Sequence, residues 1–472
     1  MQKDGTERAA RSIARRAVVE HEAKHLKKLA KTLADTVPSS NEEVLDRISR
    51  AGVRLVDLQF SDIGGGAKVL TIPAEILPAT FQHGYRFDGA ALTGGLRKIE
   101  LDLYLVPDPR TLVIFPANVG SERRARICCS VLRRDGQAFA GDPRSVLSRA
   151  LAAARDLGFD YRVGVEMEFY LLRGDQLPAS DAAGYFDVGD DAASATRDEI
   201  LTTLQGMGVR VGGAHHETGP GQEEIDLPAD DALRMADQLI SVRQVIRSVA
   251  QRRGLRATFM PKPMTEAPGS GMHLFQQFQR RADNSDALRN DHDDLAQTAY
   301  WAIGGQLAHA PGLCLIACPS VNSYKRLNAG HRAPRHATWA RVSQASLIRV
   351  PSWAEGENAA IELRCPDPMA NPYLAFAVAL SCALAGIQDQ IDPPDPLDES
   401  FVTFDDAELN RRGVPKLPGT LGEALIAFAE DDVVQDSVGP YIADQLMTVK
   451  RDEWETYRAH VSPWEFGRYA DA

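Results

Sequence analysis

Residues 164–172 read Gly-Val-Glu-Met-Glu-Phe-Tyr-Leu-Leu. In a strand, Glu166 and Glu168 share one face roughly 7 Å apart, while Val165, Met167 and Phe169 turn to a core. Two carboxylates on a strand buried on its other face are costly unless a cation neutralises them. A solvated sheet face is the competing reading. Further along, His215-His-Glu-Thr-Gly-Pro-Gly-Gln-Glu-Glu-Ile-Asp-Leu offers two imidazoles and several carboxylates around a Gly-Pro-Gly bend that can fold Glu217 toward Glu224. Hard oxygen donors of this kind suit magnesium or manganese rather than zinc. A third run, Gly269-Ser-Gly-Met-His273, delivers one imidazole from a flexible turn, and a fourth, Ile361-Glu-Leu-Arg, places Glu362 and Arg364 on one strand face. Each run is weak alone, since a single histidine is more often a satisfied core residue than a ligand.

The elements that must position these side chains are legible in outline. Residues 6–35 show a helical period with Leu26, Leu29, Ala30 and Leu33 on one face, read as an appended packing helix that Pro38 closes. Ser40-x-x-Glu43 starts a second helix, which Gly52 stops. From Val53 the period changes to two: Val56, Leu58 and Phe60 alternate, Gly64-Gly65-Gly66 marks a turn, and Val69 to Ile72 reads as a return strand. Short strands follow at Tyr104 to Val106 and Leu112 to Phe115. Beyond Asp142-Pro143, helices at 145–157 and 232–252 alternate with strand-like runs, an α+β pattern with a larger sheet. The chain thus divides into a helical extension at 1–40, a small strand-rich domain at 41–142 and a large domain at 143–472.

Across 472 residues, 44% are apolar and 25% charged, which is ordinary for a globular protein with a sizeable core. The net charge of −12 argues against nucleic acid or an anionic membrane surface as partner. No apolar segment opens the sequence, and the most apolar runs are interrupted by His309 and Pro311 or are short, as from Ala375 to Ile387. Six cysteines fit reduced, buried thiols of a cytoplasmic protein; Cys314 and Cys318 stand four apart, and two cysteines alone make a poor zinc site.

Taken in order, the runs resemble class I glutamine synthetase from about residue 41 to the C-terminus. The matching stretches include Val56-Asp-Leu-Gln-Phe-Ser-Asp-Ile, Phe87-Asp-Gly-Ala, Val165-Glu-Met-Glu-Phe, His215-His-Glu, Ala257-Thr-Phe-Met-Pro-Lys-Pro, Asn322-Ser-Tyr-Lys-Arg-Leu and Asn371-Pro-Tyr-Leu-Ala-Phe. The resemblance implies a β-grasp-like N-terminal domain and a catalytic domain with a curved antiparallel sheet and helices. It implies two Mg²⁺ or Mn²⁺ sites, one held by Glu168, Glu217 and Glu224 and the other by Glu166, His273 and Glu362. Arg326 and Arg364 match the arginines that hold the substrate carboxylate, Gly269 a backbone contact, and Arg349 an arginine that contacts ATP. Asp88 matches the aspartate that a neighbouring subunit supplies to deprotonate ammonium, which implies a homo-oligomer of two stacked hexameric rings.

Other positions depart from the family pattern. Arg332, in Gly-His-Arg-Ala-Pro, stands where a flap glutamate helps bind ammonium, and a cation there repels NH₄⁺. Pro268 replaces an asparagine that contacts the acid substrate. Gln344 and Ala360 replace phosphate-binding arginines, Phe275 a histidine, and Ala229 an aromatic residue near adenine. Each lost arginine–phosphate contact removes on the order of 1.5–3 kcal/mol. The stretch Ser400-Phe-Val-Thr-Phe lacks the tyrosine that is adenylylated in some members. Three readings follow from the resemblance and its departures. The first is an ATP-driven, metal-dependent ligase making γ-glutamyl amides from an amine other than ammonia, with glutamine synthesis itself disfavoured. The second is a metal enzyme that no longer uses ATP and acts on a γ-glutamyl or amino-acid-like substrate. The third is a non-catalytic oligomeric scaffold.

Overall fold

A computed structural model describes residues 40–92, 102–115, 123–176, 183–188, 191–328, 332–353, 357–398 and 406–472, together with Pro38 and Asp181. The helix expected over 6–35 and the stretch from Ser400 to Phe404 lie outside the described residues. Two compact units are present. One takes the chain up to Leu58, with Thr71–Gly84 and Pro107–Cys128; the other takes Gln59–Leu70, Tyr85–Val106 and Cys129–Ala472.

The first described helix, Asn41–Arg50, begins as the sequence predicts: the Ser40 hydroxyl accepts the Glu43 N–H at 3.2 Å, and Val44 and Ile48 are buried. Six strands then form a sheet: β1 (Leu55–Ser61), β2 (Ala67–Pro73), β3 (Tyr85–Asp88), β4 (Asp102–Pro107), β5 (Val113–Ile114) and β6 (Arg124–Leu132). Their order is β2-β1-β6-β4-β3, with β5 on β6. Alternation does not persist through β1, because Gln59 and Ser61 are buried as well as Leu58 and Phe60.

The larger sheet has eight strands: β7 (Phe159–Leu172), β8 (Gly213–His216), β9 (Gln222–Asp231), β10 (Arg256–Thr258), β11 (Met272–Arg280), β12 (Trp339–Ala340), β13 (Ile348–Arg349) and β14 (Ile361–Leu363). The order is β12-β13-β14-β11-β7-β9-β8, with β10 also on β7. Every pairing is antiparallel except β12 with β13. That exception to the antiparallel expectation is a two-residue contact, reached by a loop at 341–347 rather than a crossover helix. Between Val163 and Val165 the β7–β9 register slips by one residue at Pro228 and Ala229. Proline has no N–H to give the ladder, so the bulge falls where pairing is already weakest.

Behind the sheet lie long helices with buried faces. Pro143–Asp156 and Ala232–Arg252 are joined by Arg144, whose Nε and Nη2 each donate to Asp237 at 2.9 Å. The helix Pro372–Asp389 meets Gln297–Ala308 at a glycine contact, where a Cβ on Gly305 would fall 2.6 Å from Gly386 N. This 18-residue segment is long and apolar enough to cross a membrane, more than its short apolar run suggests, yet 72% of it is buried within the protein.

Candidate functional site

Register gathers the acidic residues. Directly opposed residues in a sheet project to the same face. Across β8, β9 and β7, His215 opposes Glu224 and Glu224 opposes Glu168. Two residues along, Asp226 opposes Glu166, which in turn opposes His273 on β11. Glu362 on β14 opposes Phe275 and Arg349. One sheet face therefore carries two parallel rows of donors, while Val165, Met167 and Phe169 on the other face are at most 1% exposed.

These rows floor a cavity of about 910 Å³. Of the residues expected at the site, Glu166, Glu168, Glu217, Glu224, Gly269, His273, Arg326, Arg332, Arg349 and Arg364 line it. Glu362 lies beneath, wholly buried, with its carboxylate gripped by Arg349 and Arg364 and 3.5 Å from His273 Nδ1. The Arg326 guanidinium is fixed on backbone carbonyls, donating to Cys365 at 2.8 Å, Pro366 at 3.2 Å and Arg364 at 3.1 Å. Gly269 is required at its place: a Cβ would stand 2.7 Å from Arg326 Cγ and 2.8 Å from Pro261 O. Asp88 is exposed on β3 and does not line this cavity.

The donor set fits divalent cations. Among the described residues, Glu166, His273 and Glu362 bring ligand atoms within 4.8 Å of one another, as do His215, Glu217 and Glu224, and Glu166, Glu224 and Asp226. Glu168 directly opposes Glu224 across β7 and β9, and His215, which was not among the expected ligands, stands with Glu217 and Glu224. Burial, with Glu217 close by, pushes Glu168 up to about 7. Burial and the neighbouring carboxylates push Glu224 up to about 8, and a hydrogen bond to Glu224 holds His215 up to about 9. Burial also raises Glu166 and Asp226. His273 is driven well below the usual imidazole range, first by burial and then by Arg364, so it offers a neutral nitrogen. Carboxylates that cannot all ionise together without a counter-charge, beside a neutral imidazole, are the electrostatics of a cation site.

Several cavity residues were not singled out by sequence. Gln222 Nε2 donates to Glu168 Oε2 at 2.8 Å and to Gly269 O at 3.1 Å, which ties the floor to the Gly269 turn. Asp226 follows Glu224 by two residues, so the strand period was its signal. Tyr185 and Phe186 stand at the mouth with ring centroids 4.1 Å apart, and Phe186 lies 4.4 Å from His215. Phe186 adopts φ 64°, a left-handed conformation that costs roughly 1–2 kcal/mol, and its N–H donates to His216 O at 3.1 Å. Beneath the bend, Asp181 receives the Gly221 N–H at 2.6 Å and lies 3.0 Å from His216 Nε2. Among the departures, Pro268, Arg332 and Gln344 line the cavity, whereas Phe275, Ala360 and Ala229 do not.

Known proteins resemble this chain over nearly all of its length. The catalytic domain of glutamine synthetase matches residues 140–469 and its β-grasp domain residues 52–134. Glutamine synthetase of Halobacterium salinarum is 41% identical over 93% of this chain and 98% of its own. That of Methanosarcina mazei is 38% identical over 91% and 98%. Among solved structures, GmaS in complex with ADP superposes with a TM-score of 0.82 at 29% identity, over 91% of this chain and 99% of its own. The chain belongs to the glutamine synthetase family, with that family's β-grasp and catalytic domains. Members of this family are carbon–nitrogen ligases that work with ATP and Mg²⁺ or Mn²⁺ and assemble as homo-oligomers.

Proposed function

We propose that this protein is an ATP-driven ligase that joins the side-chain carboxylate of glutamate, or a close analogue, to an amine other than ammonia that itself bears a negative group. The observation that carries this reading is Arg332, a cation lining the same cavity as the acidic residues and close enough to Tyr185 to act on it electrostatically. An ammonium ion gains nothing from that neighbour, whereas a carboxylate on an amine substrate would.

In this reading Arg326 and Arg364 orient the acid substrate, and Arg349 meets a phosphate of ATP. Glu166, Glu168, Glu217, Glu224, His273 and Glu362 would hold divalent cations, which would supply Lewis-acid polarisation and offset developing negative charge. His215 and Asp226 join that donor set. The substrate carboxylate oxygen attacks the terminal phosphorus of ATP, and ADP leaves. The amine nitrogen then attacks the acyl carbon, and phosphate leaves as the amide forms. The surplus proton on nitrogen passes to Asp88, which we place in a neighbouring subunit of a double-ring oligomer. Its exposure on β3, away from its own chain's cavity, supports that placement. The cavity holds both reactants close, so much of the acceleration comes from orientation.

The test is a panel of amines incubated with glutamate, ATP and Mn²⁺, with amide and ADP measured together. Acidic amines are expected to outcompete ammonia, and Arg332→Glu is expected to reverse that order. Amine selectivity unchanged by Arg332→Glu would refute the role of Arg332. No ADP formed with any amine, together with turnover of an added γ-glutamyl amide by hydrolysis or amine exchange, would favour the ATP-independent reading, for which the replacement at Gln344 in the cavity wall is the motivating observation.

A further inference from the structure

His215 lines the cavity, so the strand period turns its neighbour His216 to the other side of β8, where it opposes Glu223 on β9. His216 and Asp181 are wholly buried, and neither lines the cavity. The reaction described above uses neither of them. Their contacts nevertheless reach two parts of its surroundings. One oxygen of Asp181, Oδ2, accepts the Gly221 N–H at 2.6 Å and lies 3.0 Å from His216 Nε2, while Oδ1 accepts the Ala183 N–H at 3.3 Å. On the far side of the ring, His216 Nδ1 lies 3.2 Å from Gly184 O.

Gly221 belongs to the bend that starts at the cation ligand Glu217. That bend is closed by the Glu217 N–H donating to Gln222 O and the Gln222 N–H donating to Gly219 O, each at 2.8 Å. Residues 183–186 carry Tyr185 and Phe186 to the cavity mouth. Phe186, at φ 64°, holds a backbone conformation that a bulky residue keeps only where its surroundings impose it. Here His216 imposes it twice: its carbonyl receives the Phe186 N–H at 3.1 Å, and its ring faces Gly184 two residues earlier. Held in this way, the Phe186 ring reaches His215 at 4.4 Å, and His215 Nε2 lies 3.5 Å from Glu224. A buried carboxylate shared among several donors is costly to leave half-satisfied, so the bend and the mouth keep their places together.

We propose that Asp181 and His216 are positioning residues that lock the aromatic mouth at Tyr185 and Phe186 to the Glu217 bend, so that cation binding orders the entrance used by the amine. The role of the mouth as the amine's entrance rests on the ligase reading; the link between cation and mouth does not.

The experiment uses the full-length protein with and without saturating Mn²⁺. Hydrogen–deuterium exchange over residues 183–188 should slow roughly tenfold on adding Mn²⁺, a usual size for coupling between two sites. Asp181→Asn should abolish that response while still binding Mn²⁺ in a direct titration. Asp237→Asn, which disrupts a buried carboxylate contact elsewhere, should keep the response. In turnover, Asp181→Asn should raise KM for the amine roughly tenfold and leave KM for ATP and glutamate unchanged. A Mn²⁺ response retained in Asp181→Asn, or lost equally in Asp237→Asn, would overturn the proposal, as would equal rises in all three KM values. If no amine promotes ADP formation by the wild-type protein, the ligase reading fails and the exchange measurement alone decides the link. Should circular dichroism show Asp181→Asn unfolded, the same measurements are made on His216→Gln, which keeps a donor toward Asp181 and drops the contact with Gly184.

Discussion

Glu168→Gln should stabilise the metal-free protein at alkaline pH while weakening its response to metal. Glu168 titrates near 7 in the fold instead of 4.5, chiefly because it is buried. A carboxyl raised on folding contributes stability that is fully present below about pH 4.5 and is lost as pH rises through about 7. At 1.36 kcal/mol per unit, that shift corresponds to about 3 kcal/mol. The side chain is 13% exposed, so solvent screening takes little from this figure. Glutamine keeps the volume and an oxygen to accept the Gln222 amide, but it cannot ionise. In the presence of a chelator, wild type and variant should melt together near pH 5. The variant should melt higher at pH 8, by roughly 3–6 °C if 1 kcal/mol moves a chain of this size by roughly 1–2 °C. With saturating Mn²⁺ the order should reverse, because the cation stabilises the ionised carboxylate that only wild type possesses. Differential scanning fluorimetry from pH 5 to 9 reads all of this. Identical pH slopes for the two chelated proteins would refute the assignment of Glu168 as a carboxyl held protonated by its surroundings.

Three other substitutions probe the scaffold. Glu362→Gln leaves Arg349 and Arg364 without their shared buried partner and should cost about 3–5 kcal/mol in urea denaturation, besides weakening Mn²⁺ binding in a direct titration. Asp237→Asn breaks the two-pronged contact with Arg144 and the 2.6 Å hydrogen bond from the Tyr373 hydroxyl, for a similar loss of about 3–5 kcal/mol with the metal sites intact. Gly386→Ala would place a Cβ 2.2 Å from Trp301 O and 2.6 Å from Gly305 Cα, both backbone atoms that cannot yield cheaply. Overpacking there should cost about 3 kcal/mol or more, seen as a lowered melting temperature in thermal denaturation.

Much of the site is written locally. Period two in residues 164–172 put Glu166 and Glu168 on one face and buried Val165, Met167 and Phe169, as β7 then does. Ser40 and Glu43 announced their helix because a cap is satisfied within four residues. The runs around His215, His273 and Glu362 carried the family pattern in their residue types. What no local pattern contains is register. That Glu224 faces Glu168 while Asp226 faces Glu166 depends on how β9 slides along β7, including the slip at Pro228 and Ala229. The same holds for His215, which joins Glu217 and Glu224 because β8 lies against β9 on the side away from β7. Likewise Cys365 is 47 residues from Cys318 along the chain, and only the return of the segment after β14 along the helix Ala310–Ala317 brings their atoms together. Residue type and spacing thus determined which groups could do chemistry. Long-range packing decided which of them share charge, because electrostatic coupling falls with distance through space and is indifferent to separation in sequence.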